Sequence, residues 1–337
     1  MIPRMSTAPT DANTPGEARS FRQAPRKLDP ELAAMQVLMP RIDIAQVEQT
    51  RAIEEALAAD IRPADGRQDV ATTDSAVPRL DGTLLKVRVY RPRARRRGPL
   101  PMLLFIHGGS FMSGGLHTED TRCETYAAEA KCIVAALEYR LAPEHPFPAA
   151  LEDCCTALSY FRDQSDTFGI DDLRVAVGGL SAGGALASGT AICLSTDSHP
   201  ALALQMLLFP VLDASLTTCT AQNYSDTPVL TSSTLRDMWR MYLGPRWSAG
   251  QASYPIHSSP AHEPNLSLSP STYICTAGYD PLRDEAVEQA QRLMRAGVPV
   301  DLRQYARGFH SFDSYHATQL GQAAVRDQID ALRAAFV

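Results

Sequence analysis

The pentapeptide Gly179-Leu180-Ser181-Ala182-Gly183 sets one serine between two glycines, directly after the apolar run at 174–179 and directly before Gly184 and Ala185. A strand, a sharp turn and a helix in that order hold a serine in a strained turn with its hydroxyl projecting. The flanking glycines are required because a side chain there would strike neighbouring backbone. The pattern alone has a second reading, a glycine-rich turn that cradles a phosphate. A hydroxyl has almost no nucleophilicity at neutral pH without an adjacent base, so the choice turns on whether a histidine and a carboxylate follow.

Both follow. Asp280 stands in AGYDPLRDE after the apolar run 271–277, and His310 stands in ARGFHSF after a β-rich segment at 300–305. The order Ser, Asp, His is that of α/β-hydrolases, and the C-terminal ends of parallel strands are where such sites assemble. His316, His257 and His262 compete with His310, whose post-strand position behind Gly308 favours it. Asp284 and Glu285 compete with Asp280, but they fall in the first turn of the next helix, where acids complement its dipole. A fourth element is His107-Gly108-Gly109-Ser110-Phe111, again after a buried strand. Backbone N–H groups of Gly108, Gly109 and Ser110, with that of Ala182, are candidates to stabilise an oxyanion. His107 itself reads as a group that fastens the loop.

These residues need a scaffold that brings distant segments to one edge. After Pro63 the chain alternates β-rich and helical runs, the signature of a mostly parallel sheet covered by helices. Strands are expected at 84–90, 102–107, 132–139, 174–179, 202–209, 271–277 and 300–305, and helices at 119–130, 148–163, 183–194, 284–296 and 317–335. Residues 1–27, without apolar periodicity, read as a mobile leader. Asp29 before Pro30 reads as an N-cap, opening a helix with Leu32, Met35, Leu38 and Met39 on one face. A second helix is expected over 44–59. The stretch 213–258 interrupts the strand–helix rhythm and reads as an inserted lid; with residues 28–60 it is assigned to a cap, and residues 61–337 to the catalytic core. Leu180, Phe111, Leu38 and Met39 are assigned to the substrate pocket.

The bulk numbers exclude several classes. The 337 residues are 45% hydrophobic and 21% charged, with a formal net charge of −6, so no electrostatic footprint for nucleic acid is present. The basic run Arg91 to Arg97 reads as a solvated loop tip. Seven cysteines without metal-type spacing read as reduced thiols, and no metal or cofactor is implied. No window is apolar and long enough to span a membrane, and the first residues lack the apolar core of a secretory signal, so cytoplasmic residence is the default. A homo-oligomer is left open.

With these residues in view, the chain resembles the hormone-sensitive-lipase-like esterases, the bacterial family IV carboxylesterases, over about residues 70–337. The resemblance rests on HGGSF (107–111), YRLAPEHPFPAALED (139–153), GLSAGG (179–184), DPLRDE (280–285) and GFHSF (308–312), all in the family's order. It implies an eight-stranded α/β-hydrolase core, a helical cap and a pocket between them. It also implies the triad Ser181, Asp280 and His310, and hydrolysis of small, short- to medium-chain esters. Ser110 stands where the family usually has glycine, and Leu180 where many members have Asp or Thr. Alternatives on this scaffold are an amidase or deacetylase using the same triad, and a non-catalytic receptor of the kind that has lost the histidine, which this chain retains.

Overall fold

Apolar runs of five to eight residues cannot stay in water and pair as strands, and the computed structural model assembles them into one sheet. It describes residues 27–37, 43–61, 66–93, 98–196, 198–245, 247–251 and 253–337. The expected leader up to residue 26, Leu38, Met39 and the basic run beyond Arg93 lie outside the described residues.

The strands are β1 (Val70–Pro78), β2 (Leu84–Pro92), β3 (Leu100–Ile106), β4 (Ile133–Leu137), β5 (Ile170–Leu180), β6 (Leu204–Leu208), β7 (Thr272–Tyr279) and β8 (Val300–Phe309). They form an eight-stranded sheet in the order β1-β2-β4-β3-β5-β6-β7-β8. β2 runs antiparallel to both β1 and β4, and the remaining pairs are parallel. The helices are α1 (Pro30–Gln36), α2 (Val47–Ile61), α3 (Asp120–Ala130), α4 (Ala149–Asp163), α5 (Ser165–Phe168), α6 (Ala182–Cys193), α7 (Cys219–Asn223), α8 (Ser232–Leu243), α9 (Arg283–Arg295) and α10 (Gln319–Ala335).

Strand alternation divides the core in two. Met102, Leu104 and Ile106 of β3 face one apolar cluster with residues of α4, α6 and α9, which continues into Leu235, Trp239 and Tyr242 of α8. Leu103 and Phe105 face the other, with residues of α3 and α10. Because central strands are covered on both faces, they read as unbroken apolar runs.

Two departures from expectation, at β1 and α1, have physical causes. β1 was not anticipated, because this edge strand exposes Thr72, Thr73, Asp74 and Ser75 and so lacks an apolar pattern. The stretch 213–258 contains α7 and α8; α8 is capped by Thr231, whose hydroxyl accepts from Thr234 N, and it buries Leu235, Met238, Trp239 and Tyr242. Asp29 does cap α1, accepting from Glu31 N. However, Leu32 packs into the second core cluster, Asp29 N donates to Arg307 O of β8, and Gln319 N of α10 donates to Glu31. The described part of α1 therefore packs on the core, and none of its residues lines the cavity described below.

Candidate active site

β5 ends and α6 begins at Ser181, whose φ of 56° and ψ of −116° are sparsely populated for a residue with a Cβ. Neighbouring strands hold it there: Ser181 N donates to Leu208 O at 2.7 Å and Val211 N to Ser181 O at 3.1 Å. A Cβ at Gly179 would lie 2.2 Å from Gly183 O, and one at Gly183 would lie 2.1 Å from Ile106 O. The glycines around the serine are therefore a steric requirement of packing α6 against the sheet.

His310 follows β8 and Asp280 follows β7, so the parallel order of the sheet delivers both to the edge where β5 ends. His310 Nε2 lies 2.9 Å from Ser181 Oγ, and His310 Nδ1 lies 2.8 Å from Asp280 Oδ2. Asp280 is fully buried, and its other oxygen accepts from Leu282 N at 2.9 Å. A carboxylate only accepts, so the proton sits on Nδ1 and the Nε2 lone pair faces the serine hydroxyl.

The glycine-rich turn after β3 lies alongside. Gly109 has φ of 108°, and a Cβ there would lie 2.2 Å from Ser113 O. Ser110 and Phe111 follow with φ of 55° and 62°. Met112 N and Ser113 N both donate to Gly109 O at 2.9 Å, fixing the turn. His107 is stacked on Tyr139 with ring centroids 4.1 Å apart, and its Nδ1 lies 2.7 Å from Gly108 O. Burial pushes the His107 imidazole down to about 4, so at neutral pH it is an uncharged fastener of the turn.

A cavity of about 280 Å³ opens over Ser181 and His310. Gly108, Gly109, Ser110 and Leu180 line it from the core, and Ile44, Val229, Leu230 and Thr234 from the segments around α2 and α8. Phe111 departs from its assignment. It is fully buried, stacks on Tyr242 of α8 with ring centroids 3.7 Å apart, and is not among the residues that line the cavity. The positions of Leu38 and Met39 lie outside the described residues.

Four of the five competing side chains have other partners. His257 pairs with Glu263 at 3.0 Å and His262 with Asp213 at 2.9 Å. Asp284 accepts from Thr220 N at 3.1 Å, and Glu285 accepts from Leu212 N at 2.6 Å. The acids of the DPLRDE motif therefore tether the segment that follows β6, beyond the dipole role read from sequence. Glu144 is gripped by both terminal nitrogens of Arg51 of α2, each at 2.8 Å. That guanidinium holds the Glu144 carboxyl down to about 2, and Arg51 Nε also donates to Met112 O at 2.7 Å.

Sequence reasoning missed a buried support under the His310 loop. Arg122 of α3 donates to Asp313 Oδ2 at 2.7 Å and to Glu119 Oε2 at 2.8 Å. It also missed Glu54, Thr118, Thr234, Ser314 and Tyr315 in the cavity wall. They come from helices and turns whose spacing carries no chemical motif. Among the described residues no group of three or more His, Cys, Asp or Glu is arranged to hold a metal ion, and no described helix is long and apolar enough to cross a membrane.

The family described as alpha/beta hydrolase fold is matched over residues 103–314. The chain is 35% identical to esterase LipI of Mycobacterium tuberculosis over 253 residues, covering 71% of this chain and 77% of that protein. It is 33% identical to the ethyl acetate hydrolase of Pseudomonas putida over 304 residues, covering 85% and 92%. Among solved structures it is similar to a bacterial heroin esterase, with a TM-score of 0.88 and 36% identity over 92% of this chain and 98% of that one. With the ordered motifs, the sheet order and these likenesses together, the chain belongs to the hormone-sensitive-lipase-like branch of the α/β-hydrolase superfamily.

Proposed function

We propose that Ser181 is the nucleophile of a carboxylesterase, with His310 as general base and acid and Asp280 as the orienting carboxylate. The observation that carries this is the unbroken pair of contacts, 2.9 Å from Ser181 to His310 and 2.8 Å from His310 to Asp280, at the floor of a cavity. As Ser181 Oγ bonds to the ester carbonyl carbon, its proton passes to His310 Nε2 and the carbonyl π electrons move onto oxygen. The C–O bond to the alcohol then breaks, and His310 returns that proton to the leaving alkoxide. Water repeats the sequence on the acyl-serine, releasing the acid. Asp280 stays ionised throughout and stabilises the imidazolium.

The oxyanion is assigned to the backbone N–H groups of Gly109, of Gly108 or Ser110, and of Ala182. Ala182 is the first residue of α6, so its N–H precedes any intrahelical acceptor. The cap is assigned to the segments carrying α2, α7 and α8; Ile44, Val229 and Leu230 on the cavity wall support that. A cavity of about 280 Å³ favours short- to medium-chain esters. Free cysteines fit a reducing cytoplasm.

The purified protein is expected to turn over p-nitrophenyl butyrate and to take up one organophosphorus group per chain. Peptide mass spectrometry should locate the adduct on Ser181; an adduct on another residue would refute the assignment. At the neighbouring turn, Ser110→Ala should keep kcat within a few-fold, because only the backbone donor is used. Ser110→Gly should behave likewise, since glycine accepts a φ of 55°. A loss of roughly 10²-fold in kcat for a folded Ser110→Ala protein would instead make the hydroxyl an oxyanion donor.

A further inference from the structure

The cavity contains a carboxylate that the ester mechanism does not use. Glu54 of α2 lines it together with Glu119. Glu119 shares the Arg122 guanidinium with Asp313, so two carboxylates lean on one cation. Burial pushes the Glu119 carboxyl up, and the charges of Asp313 and Glu54 add to it. Among the described residues, the groups acting on Glu54 are the Ser113 hydroxyl and the Gly114 amide, neither of them a cation, and burial raises its carboxyl. Among the described residues, the ionisable ones on the wall are Glu54, Glu119, His310 and Tyr315, with no lysine or arginine. A carboxylate on this wall faces a partly desolvated space in which an opposite charge is attracted more strongly than in water, and a cation placed beside it favours the ionised form over the neutral form that burial promotes.

We propose that Glu54 determines specificity, selecting esters that carry a positively charged amine or quaternary ammonium group on their acyl or alcohol portion. This rests on the esterase reading of the cavity. A cation beside Glu54 would receive the carboxylate oxygens and neutralise the surplus charge shared with Glu119, whereas a substrate carboxylate would be repelled.

The test compares kcat/KM for two pairs of esters in wild type, Glu54→Gln and Glu54→Lys. One pair is choline butyrate and its carbon isostere, with the charge on the alcohol. The other is the p-nitrophenyl ester of γ-trimethylammoniobutyric acid and its carbon isostere, with the charge on the acyl group. The quantity read is the charged-to-neutral ratio, in which any disturbance of folding or of the adjoining turn cancels. In at least one pair the ratio should fall roughly 5- to 10-fold in Glu54→Gln, the size of one partly screened ion pair, and further in Glu54→Lys. The responding pair identifies the portion of the substrate that reaches Glu54. Ratios unchanged by Glu54→Gln in both pairs would overturn the proposal. Loss of all turnover in wild type would instead strike the esterase reading. Calorimetric binding of butyltrimethylammonium and its carbon isostere then supplies the same ratio without chemistry, and equal ratios in wild type and Glu54→Gln would again overturn the proposal.

Discussion

Ser181→Ala is expected to lower kcat for p-nitrophenyl butyrate by roughly 10⁴-fold or more, and adding His310→Ala should lower it scarcely further. The geometry gives the reason. His310 Nε2 has the serine hydroxyl as its proton source at 2.9 Å, so without that hydroxyl the imidazole has no nucleophile to activate. The activity that survives comes from the oxyanion donors and from binding, which neither substitution removes. Asp280→Asn should also be severe, because an amide permits the tautomer in which Nε2 carries the proton and can no longer accept one. All three side chains are buried, so thermal unfolding of each variant must accompany the kinetics. If the two single losses multiply in the folded double variant, Ser181 and His310 act independently and the proposed unit is wrong.

What sequence reveals here follows from which interactions are local. The serine turn was legible because its steric demands fall on adjacent residues: Gly179 and Gly183 are dictated by contacts within a few positions and by one neighbouring strand. Central strands were legible because both of their faces are buried, giving unbroken apolar runs. Phe111 was misassigned because its ring is taken up by a partner more than a hundred positions away, Tyr242 of α8, which nothing near the glycine-rich turn announces. β1 escaped because an edge strand needs no apolar pattern. Arg51, Glu54 and Arg122 were invisible for another reason. Each reaches partners dozens of positions away or more, such as Glu144, Ser113 and Asp313, and isolated charges on helices ordinarily face water.

Arg122→Met should destabilise the fold by roughly 3–5 kcal/mol, because it strips the cation from Glu119 and Asp313 while leaving both carboxylates buried. Asp313 is fully buried and Arg122 nearly so, which separates this network from surface ion pairs that are worth little. For a chain of this size the loss corresponds to a fall in Tm of roughly 4–7 °C. The pH dependence identifies the cause. In wild type the Arg122 guanidinium holds the Asp313 carboxyl below its usual range, a contribution present above the unfolded carboxyl range and lost as pH falls through the folded value. Without Arg122, burial drives Asp313 and Glu119 upward, so their neutral forms favour the folded state at low pH, and that stability is lost as pH rises. The deficit of the variant should therefore shrink as the pH is lowered from neutrality toward the carboxyl range. Glu119→Gln with Asp313→Asn in the Arg122→Met background should recover part of it at neutral pH. Asp313 lies on the turn just after His310, and Arg122 also donates to Ser314 Oγ at 3.0 Å, so kcat should fall in the folded variant as the turn loosens. A deficit independent of pH and untouched by neutralising the two acids would mean that Arg122 acts by filling space alone.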